Sequence, residues 1–251
     1  MNIYINGDSH SAGAELYKGC CFADDDPLYS HLGGLAHPKC IELSYGYKLA
    51  SSLNAGFFCE AVSASSNDRI MRKTKEFLSN LPKGKTVIVI GWSTWEREEW
   101  LHKGTHYQLT ASGTDAVPEE LSDRYKQWVV DQTPQVLEEK QKDWHTRIHD
   151  LHLELYDRKI KHLFFNTFNC FTEEPRDWHD CYVKPYNLNG TYYHWLKENG
   201  FNTVNPDGHH YGRDAHSAWA KHILPRLTNT DNSSTIKIVT QTVTSQGARK
   251  T

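Results

Sequence analysis

The chain has 251 residues, a formal net charge of −3, 38% hydrophobic and 12% aromatic residues. Such an apolar share supports one buried core and a single domain, whereas no stretch approaches the roughly 20 apolar residues of a membrane helix. Neither the net charge nor any run of lysine and arginine invites a polyanion, so no nucleic acid and no membrane is expected as a partner.

In chain order the apolar segments alternate between strand-like and helix-like runs, the pattern of an α/β domain with a mainly parallel sheet. A strand is expected at 2–6, a helix at 39–53, a strand at 56–62, and a helix at 67–78 started by Ser65-Ser66-Asn67. The β-branched run KTVIVIG predicts a strand at 85–91. The longest helix is expected at 134–159, with Thr133 as N-cap, Pro134 in the first turn and an apolar stripe of Leu137, Trp144, Ile148, Leu151 and Leu155. Strands at 162–167 and, more weakly, at 201–204 follow, then a closing helix at 215–227. Two stretches rich in Trp, Tyr, His and charge, 93–132 and 169–199, read as insertions at one end of the sheet within a domain spanning 1–227. Residues 228–251 have the composition of a mobile tail, with enough alternation at 236–243 for an added strand.

The six cysteines, Cys20, Cys21, Cys40, Cys59, Cys170 and Cys181, lack C-x-x-C spacing and are expected to be free thiols in a reducing compartment. Asp8 and His10 interrupt the only apolar segment near the N-terminus, so no secretory signal is expected and a cytoplasmic location is inferred.

The first strand runs into Gly7-Asp8-Ser9, and the carboxyl ends of parallel strands are where such sheets carry their sites. Far along the chain, PDGHHYGRDAH places Asp207 three residues before His210, ahead of the last helix. A serine hydroxyl becomes nucleophilic when a neutral imidazole takes its proton and a carboxylate holds that imidazole in one tautomer. Ser9, His210 and Asp207 supply these three groups, and His209 is the weaker candidate base because it breaks the three-residue spacing. His216 is read as a packing histidine at the helix start.

Together, Gly7-Asp8-Ser9 after the first strand and Asp207-Gly208-x-His210, with His216 on the last helix, resemble the motifs of the SGNH (GDSL) hydrolase superfamily. The resemblance covers most of the chain to Leu227 and implies a three-layer α/β sandwich with a flavodoxin-like, mainly parallel five-stranded sheet. It also implies ester hydrolysis without a cofactor, with Ser9 as nucleophile, His210 as base and Asp207 orienting it. The superfamily's oxyanion hole maps onto the backbone of Ser9, onto Ala64 where members carry glycine, and onto Ser93 in IGWSTWERE where members carry asparagine. Asn67, at the start of a helix, is a substitute amide donor.

Trp92, Trp95, Trp100, Tyr107 and Trp128 crowd the first insertion. Part of this set is expected in the core; Trp92 and Trp95 are candidate substrate-binding residues, forming an aromatic wall for a sugar ring or acyl chain, which favours a small-molecule or carbohydrate ester. Two other classes compete: a non-catalytic SGNH-like carbohydrate-binding module, favoured by the missing asparagine, and a metal-dependent hydrolase, favoured by 15 histidines. His145, His149 and His152 share a helix face but flank the apolar stripe, and His210, His216 and His222 recur every six residues and cannot share one. No metal is expected.

Overall fold

The computed structural model describes residues 1–23, 35–113 and 117–228. Its strands are β1 (Asn2–Asn6), β2 (Gly56–Cys59), β3 (Thr86–Trp92), β4 (Glu98–His102), β5 (Thr105–Leu109) and β6 (Lys161–Asn166). Its helices are α1 (Ser9–Ala12), α2 (Pro38–Leu43), α3 (Tyr45–Ser52), α4 (Asn67–Ser79), α5 (Ser122–Val130), α6 (Pro134–Asp157), α7 (Tyr192–Glu198) and α8 (Arg213–Thr228). The central sheet is parallel throughout, in the order β2-β1-β3-β6.

Side chains alternate between the two faces of this sheet, and both faces are covered, which is why β3 reads as a continuous apolar run. Ile3, Ile5, Val87, Val89, Leu163 and Phe165 pack with Tyr45, Leu49, Tyr192, Trp219 and Ile223 of α3, α7 and α8. Tyr4, Ile88, Ile90, Trp92 and Phe164 pack on the other face with Ile70 of α4 and with Trp144, Ile148, Leu151 and Leu155 of α6. The result is the expected three-layer α/β sandwich.

The helix starts follow from capping. The Ser66 hydroxyl accepts the Arg69 N–H at 3.3 Å to begin α4, and the Thr133 hydroxyl accepts the Val136 N–H at 3.3 Å to begin α6. The helix expected at 39–53 is split into α2 and α3 because Ser44 leaves the helical conformation and caps α3 through the Tyr47 N–H. The strand expected at 56–62 stops at Cys59, although Glu60 and Val62 still donate to Ile5 O and Gly7 O along β1. The central sheet has four strands among the described residues, not five, since Thr203 makes only an isolated bridge with Tyr211.

The stretch 93–132 holds an antiparallel β4–β5 hairpin and α5, which close a small core of Trp100, Leu109, Leu121 and Tyr125. Apart from Thr228, the tail and its expected strand at 236–243 lie outside the described residues. Among the described residues no helix is long and apolar enough to cross a membrane.

Candidate active site

Gly7-Asp8-Ser9 sits at the carboxyl end of β1, as the sequence predicts. Gly7 has a φ of 154°, and a Cβ there would lie 2.2 Å from Ser11 Oγ and 2.8 Å from Gly91 O, so close approach as well as conformation requires glycine. Asp8 caps α1 by accepting the His10 N–H at 3.1 Å. Ser9 opens that helix and is mostly buried.

Asp8 is itself fully buried. Its Oδ2 accepts the Ser93 hydroxyl at 3.0 Å and lies 3.5 Å from the Arg97 guanidinium, which also donates to Ser93 Oγ at 3.0 Å. Burial raises the Asp8 carboxyl above its ordinary range, and Arg97 opposes that rise. Asn67 clamps the same serine from its backbone side: its Nδ2 donates to Ser93 O at 3.1 Å, and its Oδ1 accepts the Ser93 N–H at 2.8 Å.

These bonds correct two expected oxyanion donors. The Ser93 hydroxyl is directed at Asp8, and the Asn67 amide is directed at the Ser93 backbone, because a buried carboxylate and a buried peptide each require a partner. The other two fare differently. Among the described residues neither the Ser9 nor the Ala64 backbone N–H has a hydrogen-bond partner. Ala64 has a φ of 62°, in the left-handed region where glycine is at ease and alanine is strained.

His210 lies at the base of a loop closed by the Val204 N–H to His210 O bond of 2.7 Å and by the Thr203–Tyr211 bridge. At the loop's tip the Gly208 N–H reaches Asn205 O at 2.8 Å, forming a tight turn that contains Asp207. Asp207 is exposed, and its own N–H donates to Asn205 Oδ1 at 3.2 Å. No hydrogen bond joins Asp207 to His210 among the described residues. The carboxylate facing His210 is instead Glu15, whose Oε1 stands 3.3 Å from His210 Nδ1. The turn geometry explains the correction, since it points Asp207 into solvent while the base of the loop turns inward.

His10 completes the surroundings. Its buried ring lies 5.0 Å from that of His210, 4.8 Å from Phe168 and 5.4 Å from Tyr192, and its Nδ1 has no hydrogen-bond partner among the described residues. Burial, with His210 alongside, holds the His10 pKa well below the usual histidine range, so the ring is neutral at pH 7. His209 is exposed, with Phe168 and Tyr193 as ring neighbours. His216 is a core histidine: its Nδ1 accepts the Tyr45 N–H at 3.1 Å, which leaves Nε2–H for the Tyr192 hydroxyl at 3.1 Å. No hydrogen bond links Ser9 Oγ to His210 among the described residues.

The expected aromatic wall is not at the surface. Trp92 is fully buried edge-on against Phe164 as the last inward-facing residue of β3, and Trp95, in the turn beyond the strand, is 4% exposed and stacked on Phe171 in the same core cluster. A rim of Trp95 still lines a cleft of about 280 Å³ together with Arg97, Glu98 and Lys140. The α6 histidines diverge: His145 meets Tyr186, His149 meets Asp177 O, and His152 meets His162. A metal-compatible group does occur at His210, where ligand atoms of Glu15, Cys21 and His210 lie within 4.8 Å of one another.

Glu15, Arg97 and His10 were not found from the sequence. Glu15 lies in the small-residue and apolar stretch Ala12-Gly13-Ala14-Glu15-Leu16-Tyr17 with no motif around it, and only the folded chain brings it to a residue almost 200 positions further on. Arg97 sits two residues beyond Trp95 in a charged run, where nothing separates it from its neighbours. His10 adjoins Ser9, and that adjacency was the one available signal.

No family model and no curated protein matches the chain. Among solved structures it is similar to a carbohydrate esterase whose active site is described as displaying divergent catalytic and non-catalytic binding functions, at 15% identity and a TM-score of 0.41, over 92% of this chain and 69% of that one. It is also similar to a protein from Desulfitobacterium hafniense DCB-2 assigned to the lipolytic G-D-S-L family, at 11% identity and a TM-score of 0.35, over 90% of this chain and 98% of that one.

Proposed function

We propose that this protein is a serine ester hydrolase of the SGNH type in which Ser9 is the nucleophile, His210 the general base and Glu15 the carboxylate that orients it. The observation that carries the reading is the Glu15–His210 contact. With Nδ1–H directed at the carboxylate, His210 keeps its Nε2 lone pair free to take a proton. Ser9 Oγ attacks the ester carbonyl and its proton passes to His210 Nε2. The N–H groups of Ser9 and Ala64 bind the oxyanion, and the leaving alcohol departs with the proton from His210. Water, deprotonated by the same histidine, then releases the acid and restores Ser9.

The proposal extends to the substrate only as an ester. An acylated carbohydrate rested on an aromatic wall, and Trp92 and Trp95 are core residues. Six free cysteines suit a reducing, cytoplasmic setting.

One observation favours a second reading, a metal-dependent hydrolase: the convergence of Glu15, Cys21 and His210. A fluorophosphonate probe with peptide mapping, run beside a chelator titration of short-acyl nitrophenyl ester hydrolysis, separates the two. Labelling at Ser9 with chelator-insensitive turnover supports the serine mechanism. Absent labelling with chelator-sensitive turnover supports the metal, and absence of both labelling and turnover leaves a binding module.

A further inference from the structure

At the amino end of β6, remote from Ser9, a second cluster of chemistry-bearing side chains is buried. His162, the second residue of β6, projects toward α6, where its Nε2 meets His152 Nδ1 at 2.8 Å. Cys181 is fixed alongside, since its carbonyl accepts the Phe164 N–H at 2.8 Å. The Cys181 Sγ and one ring nitrogen of each histidine lie within 4.8 Å of one another. His152 and His162 are buried and Cys181 is partly buried.

The surroundings of these rings are what a metal site requires. A ligating histidine is normally held through its other nitrogen, and His162 Nδ1 donates to Ile160 O at 2.8 Å, which leaves the Nε2 lone pair facing the cluster. His152 is held likewise: its Nε2 meets His179 Nδ1 at 3.0 Å, and His179 Nε2 lies 3.4 Å from Asp177 Oδ2. With no ion bound, His152 Nδ1–H must donate to His162 Nε2, and His179 Nδ1–H to His152 Nε2. Moving one proton on each of His152 and His179 reverses that chain. His152 Nε2–H then donates to His179, His179 Nε2–H donates to Asp177, and both inward nitrogens are free lone pairs with every outer bond kept.

We propose that His152, His162 and Cys181 form a binding site for a divalent late first-row metal of the zinc class. Two imidazoles and a thiolate are borderline-to-soft donors, which select zinc over magnesium or calcium. Binding replaces the Cys181 thiol proton: the S–H bond breaks, the proton leaves to solvent, and the sulfur lone pair takes the metal. Two nitrogens on one tetrahedral ion sit roughly 3.3 Å apart at zinc–nitrogen bonds of about 2.0 Å, so the facing rings need to separate by only a few tenths of an ångström. The ion would join α6, β6 and the stretch carrying Cys181, at the end of the sheet opposite Ser9.

Cobalt(II) titration of the chelator-stripped full-length protein tests this, with absorbance as the readout. The expected result is a thiolate-to-cobalt charge-transfer band that saturates at one ion per chain, disappears in Cys181→Ser and persists in Cys21→Ser. No band, or a band lost in Cys21→Ser and kept in Cys181→Ser, overturns the proposal. A measurement without variants accompanies it: zinc should slow alkylation of Cys181 at least tenfold relative to Cys170 in the wild-type chain, and equal rates with and without zinc also overturn it.

Discussion

Nδ1 of His210 stands 3.3 Å from Oε1 of Glu15, and this pair replaces the Asp207–His210 pair that the sequence spacing offers. Both side chains are largely shielded from solvent, so the contact is screened less than a surface ion pair. Glu15→Gln should lower turnover of a short-acyl ester by at least about 100-fold, since an amide can hold the wrong imidazole tautomer. Asp207→Asn should leave turnover within about twofold of wild type, as expected of an exposed turn residue. Steady-state kinetics on both variants checks the assignment, and a large loss in Asp207→Asn with little in Glu15→Gln would return the role to Asp207.

Ser9→Ala should abolish hydrolysis while the melting temperature stays within a few degrees of wild type, because Ser9 Oγ has no structural hydrogen bond to lose among the described residues. Turnover and thermal unfolding measured on one preparation settle it. Retained turnover would remove Ser9 as nucleophile.

Ala64→Gly removes a side chain from a left-handed conformation. The strain relieved is about 1–2 kcal/mol, and the extra flexibility of glycine in the unfolded chain gives back about 0.4–1 kcal/mol. A net stabilisation of roughly 0.5–1 kcal/mol is expected by denaturant unfolding, with turnover maintained because the backbone N–H is unchanged. A destabilised variant would count against the strain.

Ser93→Asn brings in an amide donor, yet Ser93 is 2% exposed and its hydroxyl bridges Asp8 and Arg97. Overpacking there should cost about 1–3 kcal/mol without raising turnover. Ser93→Ala should cost a similar amount, about 1–3 kcal/mol, by leaving the buried Asp8 carboxylate one donor short. Urea unfolding of both variants reads these costs directly, and a faster Ser93→Asn enzyme would show that the amide reaches the oxyanion after all.

Burial lowers the His216 pKa to about 3. The unfolded chain therefore takes up a proton near pH 6.5 that the folded chain refuses, so the stability His216 contributes at neutral pH is lost as pH falls from about 6.5 toward 3. Between pH 7 and pH 5 the loss from this residue is about 2 kcal/mol. His216→Gln, which keeps one acceptor and one donor, should flatten the decline by that amount in denaturant unfolding at the two pH values. An unchanged slope would mean that His216 titrates normally in the folded chain.

The fold was legible wherever period and capping agreed. Strand β1 is as predicted, β3 and β6 shift by one residue, and Ser66 and Thr133 mark the helix starts, because these signals act within a few residues of the chain. Of the proposed site, the sequence places Gly7-Asp8-Ser9 at the end of β1 and His210 ahead of α8, and the structure has them there. The proposed site was illegible where partners come from afar. Glu15 meets His210 across almost the whole sequence, Ser93 turns to Asp8, and Trp92 and Trp95 are claimed by the core. Spacing can propose that Asp207 serves His210, but only the turn at Asn205–Gly208 decides which way that carboxylate points.

The two halves of the proposed site lie far apart in the sequence, Ser9 and Glu15 ahead of β2 and His210 just ahead of α8. A ribosome releases Ser9 and Glu15 first and His210 only when most of the chain has been made, and the Arg213 Nε–H to Leu16 O bond of 3.3 Å fastens the late half to the early one. A chain released before α8 carries the proposed nucleophile and its neighbouring carboxylate without the proposed base. The contact between Glu15 and His210 would therefore form only once both segments have been made and docked.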